Sequence, residues 1–415
     1  MENNPLGNKY LDEVYRLLAS GRARSFRDIV EEKKKELGIG SDYELSKMVG
    51  VANNTLVRLI DEETQKVDLF AKLHLCRFLG IDRNNMLEHY EASLSPEHIG
   101  KLELAAKANF IRRNFHLEAL KKMGFIKSTT DFAAIDRRLT SFFDLTSIYQ
   151  YAADLSPALF SKVKQFTKEE VRKMWVVAAI TQFKRFKKPY DYDREGLLAL
   201  VAKVRFYTLD EEKGLVMVLR ALYKVGVTVI IQKYLSNTSV RGASLVVDGK
   251  PCVVLTDFRQ SYSTLWFSLL HELYHILFDL EGLKAWKQVH LSGEEGYSLT
   301  DDLFKEDMAD GFARDRLLTK AKLDFIRPMM DSHAMVKQYS DKVKVHESII
   351  YNFHCYNEKY NNGRDVYSHF RQYFGSSEKA VRLVRLMPFD AADGEPLYGN
   401  QDAIEKIYNY SSEKP

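Results

Sequence analysis

Two histidines and a glutamate lie inside an apolar stretch, "STLWFSLLHELYHILFDLEG", at residues 263–282. His271 and His275 are four residues apart, so an α-helix places both imidazoles on one face, one turn apart. Glu272 is offset by about 100°, and its carboxylate lies beside that face. This HExxH arrangement suits a zinc ion with an adjacent general base. The alternative is a core helix whose histidines bond to backbone carbonyls, but chance supplies only on the order of 0.02 such motifs per chain.

A catalytic zinc ion uses three protein ligands and keeps a fourth position for water. Glu306, in "LFKEDMADGFARDRLL", lies far enough beyond His275 for a loop and a second helix to fold back beside the first. Asp302 and Asp307 compete with it for the ligand role. Asp310 shares a helical face with Glu306 and either binds the metal or hydrogen-bonds a ligand histidine. We expect Glu306 to complete a zinc site, with manganese as the alternative metal.

Apolar residues recur at helical spacing around Glu306, which predicts a helix that packs against the histidine helix. They are Met308 or Ala309, Phe312, Ala313 and Leu317. Together, "HELYHILF" and "EDMADGFARDRLL" resemble the ImmA/IrrE metallopeptidases, whose pattern is HExxH, a loop, then a helix reading E-x-x-A-[ND]-x-F-A-x-x-L-L. The resemblance implies that His271, His275 and Glu306 bind zinc. It also implies that Glu272 is the general base of a zinc metallo-endopeptidase.

The chain departs from this family pattern at two places. Thr319 and Lys320 replace a common Met-Pro pair, and Tyr274 stands where glycine is frequent. Neither departure changes a residue with a chemical role. In the implied mechanism, zinc polarises a substrate carbonyl, and Glu272 moves a proton from water to the leaving amine. The donor for the developing oxyanion is left open among His333, His346 and Tyr351.

Three β-branched stretches precede the histidine helix and are bounded by glycine or proline. They are "GVTVIIQK", "ASLVVDG" and "PCVVLTD", and they predict the strands of a small sheet. An extended peptide can add to an exposed sheet edge and be held across a metal site. We expect residues 253–256 to form that edge.

Short helices separated by glycine turns are predicted near the N-terminus, in "SFRDIVEEKKKELGIGSDYELSKMVGVANNTLVRLI" and the residues that follow. Gly50 ends the second helix, and Asn53 or Asn54 caps the third. The second helix takes its apolar stripe from Tyr43, Leu45 and Met48. This block resembles the Xre-type helix-turn-helix of phage and plasmid repressors, in which the helix after the turn enters the DNA major groove.

The Xre resemblance implies DNA contacts on the third helix and beside it. The base- or phosphate-facing candidates are Asn53, Asn54, Thr55 and Arg58, and the backbone-contacting candidates are Lys47 and Lys66. The acidic residues 61–63 follow directly and favour the alternative, a helical bundle that contacts only protein. Basic residues are denser upstream, at Arg27 and in "KKK".

The middle of the chain has apolar residues at three- and four-residue spacing, which indicates helices. "ALKKMGFI" and "IDRRLTSFFDLTSI" also resemble the helical linker of the longer, regulator-fused ImmA/IrrE members. The predicted class is α+β, predominantly helical. The expected domains are a helix-turn-helix bundle (1–92), a helical linker (93–190), a zincin-like peptidase domain with a small β-sheet (191–330) and a helical extension (331–415).

The amino-acid composition limits the partners and the cellular location expected for the protein. A net charge of +4 restricts nucleic-acid binding to a local patch, and 45% hydrophobic residues suffice for real cores. The three cysteines lack CxxC spacing, the first residues contain no apolar signal-peptide core, and no apolar run has the length of a membrane span. We expect a cytoplasmic protein that is not bound to a membrane.

Two functions follow from the combined resemblances. In the first, the chain is a DNA-binding transcriptional regulator whose zinc peptidase site cleaves or controls a protein partner, such as a repressor in a stress or phage response. In the second, it is a non-proteolytic antitoxin or repressor that binds operator DNA and a toxin, with a regulatory or vestigial metal site. Both require operator DNA and a protein partner, and both leave homodimer formation open.

Overall fold

The computed structural model describes residues 25–61, 69–82, 84, 86–87, 94–153, 166–232, 240–286, 290–293, 300–386 and 400–410. The chain divides into two compact units, residues 1–106 and 107–415. The described part is mostly helical with one small mixed β-sheet, which agrees with the α+β expectation. None of its helices combines the length and the apolar character that crossing a membrane requires.

Four short helices form most of the first unit that the structure describes. They are α1 (Phe26–Glu36), α2 (Asp42–Val49), α3 (Asn53–Ile60) and α4 (Leu69–Leu79). Gly50 ends α2 in the left-handed conformation, with φ 70°. Because glycine adopts positive φ without steric cost, the chain can turn sharply there into α3. Each helix contributes to one core that contains Val30, Leu45, Leu56 and Leu75.

The apolar stripe expected for α2 is wrong at two of its three positions. Tyr43 and Met48 are 61% and 51% exposed. The helix instead buries Leu45 and Val49, which are four residues apart and therefore share a face. The stripe of Tyr43, Leu45 and Met48 spreads too widely around the axis for a helix of eight residues to bury all three.

Helices continue through the chain until the sheet begins. They are α5 (Pro96–Asn114), which contains the division at residue 106, α6 (Leu117–Lys122), α7 (Phe132–Phe143), α8 (Gln150–Ala153), α9 (Phe166–Arg185), α10 (Arg194–Val201), α11 (Val204–Tyr207) and α12 (Gly214–Lys224). Trp175 of α9 is fully buried in the core of the second unit. α9 ends at Arg185, shortly before Pro189, a residue that cannot continue a helix.

Among the described residues, five strands form the sheet: β1 (Thr228–Gln232), β2 (Val240–Val247), β3 (Lys250–Thr256), β4 (His290–Gly293) and β5 (Arg385–Leu386). Their order is β4-β2-β3-β1-β5. β3 pairs antiparallel with β2 and parallel with β1, so the expectation that residues 253–256 form an exposed edge is wrong. Such an apolar, β-branched run is typical of a strand buried on both faces.

The remaining helices follow β3 in the chain, and several of them pack on the sheet or on one another. They are α13 (Tyr262–Phe278), α14 (Leu280–Trp286), α15 (Thr300–Leu317), α16 (Lys320–Ile326), α17 (His333–Val343), α18 (Glu347–Asn362), α19 (Tyr367–Phe370), α20 (Glu378–Val381) and α21 (Gln401–Tyr408). α13 packs against β2 and β3, against α15 and against α18. It therefore occupies the centre of the second unit.

Candidate metal centre

α13 carries the HExxH residues through the interior of the protein. Ser261 begins the helix by accepting a hydrogen bond from the Thr264 N–H, and the helix ends where the Asp279 N–H donates to the carbonyl of His275. Because neighbours cover the helix on several sides, His271 and His275 are only 3% and 1% exposed. Both imidazoles are therefore held by packing before any ligand binds.

Glu306 of α15 faces both imidazoles. Its Oε2 lies 3.3 Å from His271 Nε2, and its Oε1 lies 3.7 Å from His275 Nε2. Two ligands that each lie about 2.0–2.1 Å from a tetrahedral zinc ion are about 3.3–3.4 Å apart, so this spacing fits an ion between them. One ligand atom from each side chain lies within 4.8 Å of the others, and the three residues form a group that could hold a metal ion.

The second ring nitrogen of each histidine faces a carboxylate. His271 Nδ1 lies 2.8 Å from Asp310 Oδ1, and His275 Nδ1 lies 2.8 Å from Asp279 Oδ2. Such contacts fix the tautomer and direct Nε2 towards a metal. Of the two roles open to Asp310 from the sequence, the structure shows the hydrogen bond. Sequence reasoning missed Asp279, although it follows His275 by one helical turn, a spacing that could have identified it.

Carboxylates dominate the electrostatic surroundings of His271. Burial opposes its charged form, but hydrogen bonds with Asp310 and Glu306 and the charge of Glu272 raise the pKa of His271 to about 10. The surroundings therefore stabilise positive charge at this place, which either a proton or a metal ion can supply. Two imidazole nitrogens and one carboxylate oxygen are a donor set of catalytic zinc sites.

The side chain of Glu272 contacts β2, and its charge acts on His271. Its side chain is fully buried, and Ser244 Oγ lies 2.7 Å from Glu272 Oε2 and 2.9 Å from the Glu272 carbonyl oxygen. Gly242 provides the space for the carboxylate. Sequence reasoning missed both β2 residues; a glycine inside a strand does signal a close approach, but not what approaches it.

The structure decides between Met308 and Ala309, the two alternatives for the apolar face of the helix that carries Glu306. Ala309, Ala313 and Leu317 are buried, whereas Met308 is 47% exposed. Phe312 contacts Tyr274, with ring centroids 5.6 Å apart. The competing ligand Asp307 is exposed, and the side chain of Asp302 lies outside the described residues.

A cleft of about 1110 Å³ adjoins the centre on the side of His271. Asp310 and Phe267 line it, and the Phe267 ring packs against the His271 ring with centroids 6.2 Å apart. α18 contributes Tyr356 and Tyr360 to the lining. Sites for drug-sized ligands occupy about 300–1,000 Å³, so this cleft has room for several residues of a polypeptide.

The three candidates for an oxyanion donor make other contacts. His346 Nδ1 lies 2.9 Å from Ser348 Oγ, and its Nε2 lies 3.2 Å from Glu211 Oε1. The rings of His333 and Tyr351 both stack on the ring of Tyr373, with centroids 4.6 Å and 4.4 Å away, and His333 Nδ1 lies 3.4 Å from the Tyr351 hydroxyl. These contacts give all three residues a role in packing.

The DNA-contact candidates that the structure describes lie on α2 and α3 of the first unit. Asn54, Thr55 and Arg58 are exposed on α3, and Lys47 is exposed on α2. Asn53 is half-buried, and its Oδ1 atom is buried without a hydrogen-bond partner among the described residues. Lys66 lies outside the described residues.

The expected cap of α3 is wrong. The helix begins at Asn53, so Ala52 takes the N-cap position and makes no side-chain hydrogen bond. Asn53 and Asn54 lie in the first turn, where their side chains cannot replace the cap. The helix is thus held by the packing of Leu56 and Leu59.

Much of the charge near α3 is paired within the first unit. Arg27 pairs with Asp61 and, at 3.3 Å, with Asp42. Lys34 lies 2.6 Å from Asp42. Arg27 therefore offsets the first acidic residue after α3, while Arg27 and Lys34 both have carboxylate partners inside the unit.

The second unit thus brings together three side chains that could hold a metal ion, with carboxylates bonded to both histidines and the charge of buried Glu272 acting on His271. The first unit presents an exposed, largely polar helix face. No protein-family model, no curated protein and no solved structure matches the chain.

Proposed function

We propose that the chain is a zinc-dependent endopeptidase of the ImmA/IrrE type, fused to an Xre-type DNA-binding unit, and that it regulates transcription. The observation that carries the proposal is that the charge of Glu272 acts on His271, whereas Glu272 is not a member of the three-residue group. A structural zinc site is closed by four ligands and needs no base. Three ligands with an adjacent carboxylate are the arrangement of a catalytic site.

In the proposed reaction, three residues bind the metal ion and a fourth transfers a proton. His271, His275 and Glu306 would hold the ion, and zinc would supply a Lewis acid that polarises a peptide carbonyl and makes water more acidic. Glu272 accepts the proton from the attacking water and delivers it to the amine nitrogen that leaves. Ser244 donates a hydrogen bond to Oε2 and so orients this carboxylate.

The cleft beside His271 is the proposed place of the substrate. Its volume of about 1110 Å³ accommodates a polypeptide segment, and Asp310 joins its wall to the metal group. Sites of this size that are partly apolar bind extended ligands through a few polar groups. The substrate class is a protein partner, either a repressor or a component of a toxin system.

Operator DNA is the proposed ligand of the first unit. Asn54, Thr55 and Arg58 project from the exposed face of α3, the helix that follows the Gly50 turn. A helix after such a turn lies in the major groove in helix-turn-helix proteins. Arg27 offsets the charge of Asp61, which lowers the repulsion that an acidic residue at this end of α3 would exert on phosphates.

Comparison of wild type with Glu272→Gln tests the peptidase. Glutamine keeps the size of the side chain and a hydrogen bond from Ser244 but cannot take the proton. Each zinc-loaded protein is incubated with a lysate of the source cells that lack the gene, and newly formed protein N-termini are identified by mass spectrometry. We expect new termini with wild type and a decrease of at least about a hundredfold with the variant.

The non-proteolytic alternative predicts that wild type produces no more new N-termini than Glu272→Gln does. If wild type and Glu272→Gln give the same N-termini while both bind zinc and operator DNA, the chain acts by binding and the peptidase assignment is wrong. Zinc content, measured on the same samples, shows whether the variant has kept its metal group.

A further inference from the structure

A second pocket, of about 430 Å³, lies outside the metal centre. α11, α16 and the C-terminal end of α17 line it, and it shares no residue with the cleft beside His271. Its volume is within the range of sites for single small ligands, about 300–1,000 Å³. Nothing in the proposed peptidase reaction uses it.

Positive charge is concentrated in this pocket. Arg205, Lys322, Lys342 and Lys344 line it, and its lining contains no acidic residue. Within the part of the chain that the structure describes, none of the four has a carboxylate partner, and Arg205 Nε is buried without a hydrogen-bond acceptor. By contrast, Lys320, on the same helix as Lys322, pairs with Asp324.

The electrostatics of a helix end account for only two of the four cations. The C-terminal end of a helix favours cations, which accounts for Lys342 and Lys344 at the end of α17. Arg205 and Lys322 come from two other helices. Burial, together with the charge of Arg205, lowers the pKa of Lys322. The cations thus repel one another, and a bound anion would relieve that repulsion.

Exposed aromatic rings lie beside the cations. Phe206 and Phe325 are 45% and 58% exposed and line the pocket. The Phe325 ring stacks on that of Tyr339, with centroids 5.3 Å apart, and the Tyr339 hydroxyl donates to the carbonyl of Lys322 at 3.0 Å. The ring face of Phe325 is therefore held in place next to the Lys322 backbone.

We infer that this pocket binds a nucleoside di- or triphosphate. The four cations match the charge of the phosphates, since Lys and Arg are the usual phosphate-binding side chains. Phe206 and Phe325 offer flat apolar surfaces to the base, which inorganic phosphates cannot use. The volume suits one nucleotide, whereas a single-stranded nucleic acid needs a groove that continues over several nucleotides.

Calorimetric titration of the full-length protein tests this inference, with ATP, tripolyphosphate and adenosine as probes and without magnesium. We expect ATP to bind, tripolyphosphate to bind at least about tenfold more weakly, and adenosine not to bind measurably. Joint Arg205→Gln and Lys322→Gln substitution should weaken both ATP and tripolyphosphate by at least about tenfold. Phe325→Ala, at an exposed side chain, should weaken ATP but leave tripolyphosphate unchanged.

Lys203→Gln is the matched control, because Lys203 is exposed and close to Arg205 in sequence but does not line the pocket. It should bind ATP as wild type does. The inference is overturned if ATP does not bind, if it binds no better than tripolyphosphate, or if Lys203→Gln weakens it as much as the pocket variants do. Binding of single-stranded oligonucleotides without binding of ATP would also overturn it.

Discussion

The carboxylate of Glu272 fills the space that Gly242 leaves beside β2. A Cβ atom on Gly242 would lie 2.7 Å from Glu272 Oε1 and 2.9 Å from its Cγ. The pairing of β2 with β4 is irregular here, with a register shift between Val240 and Gly242. Because a bulge redirects a strand and glycine permits close approach, β2 fixes the position of the proposed general base.

Gly242→Ala should therefore displace Glu272 without removing a metal ligand. We expect cleavage to fall at least about tenfold, because misplacing a catalytic group by about 1 Å can cost a hundredfold. Zinc content should stay at the wild-type level. Gly282→Ala is the control, since no atom lies within 4 Å of a Cβ there. Full cleavage by Gly242→Ala would show that the position of Glu272 does not matter.

The carboxylates behind the histidines should control metal affinity. Asp310→Asn and Asp279→Asn each remove the charge that orients one imidazole, and we expect zinc affinity to decrease about 10- to 100-fold in each case. Competition with a chelating dye measures this change. Asp315→Asn, on the same helix as Asp310 and exposed, should bind zinc as wild type does. Unchanged affinity in both orienting variants would contradict their role.

Arg58 should contribute to DNA binding more than a basic residue elsewhere in the first unit. Arg58→Ala in the full-length protein should weaken binding to the upstream region of its own gene about tenfold, the scale of one base-contacting arginine. Arg77→Ala, at an exposed residue of α4, is the control. Fluorescence anisotropy at about 50 and about 200 mM salt should also show a steep loss with salt. Equal effects of both substitutions would favour the protein-contact bundle.

Buried His354 should make the fold less stable in acid. Burial lowers its pKa, and Arg327 adds to this effect while Glu358 opposes it. Below the ordinary histidine pKa of about 6.5, His354 is protonated in the unfolded chain but stays neutral in the native state. The free energy of unfolding therefore decreases as the pH falls towards the lower native pKa. In urea unfolding of the metal-free protein, wild type should lose more stability from about pH 7 to about pH 5 than His354→Gln. Equal losses would contradict this assignment.

The metal group could be predicted from the sequence because its geometry is local. His271 and His275 are one helical turn apart, and Glu306 and Asp310 share the same relation on α15. Helical spacing alone fixes which of these side chains share a face. Only the approach of α15 to α13 required the tertiary structure.

The strand order and the surroundings of Glu272 could not be predicted in this way. The apolar character of residues 253–256 indicates burial, but it does not identify β1 and β2 as the strands that flank them. β5 joins β1 from a segment more than a hundred residues further along the chain. Ser244 and Gly242 meet Glu272 only because β2 packs on α13. Such long-range pairings leave no periodic signal in the sequence.

Anomalous diffraction at the zinc absorption edge, from crystals of the zinc-loaded protein, tests the central claim most directly. We predict one strong peak per chain at about 2.0–2.2 Å from His271 Nε2, His275 Nε2 and a carboxylate oxygen of Glu306. The same peak should be absent from His271→Ala crystals grown in parallel. A zinc peak coordinated by other residues, or none at these three, would contradict the proposed metal centre and the peptidase that depends on it.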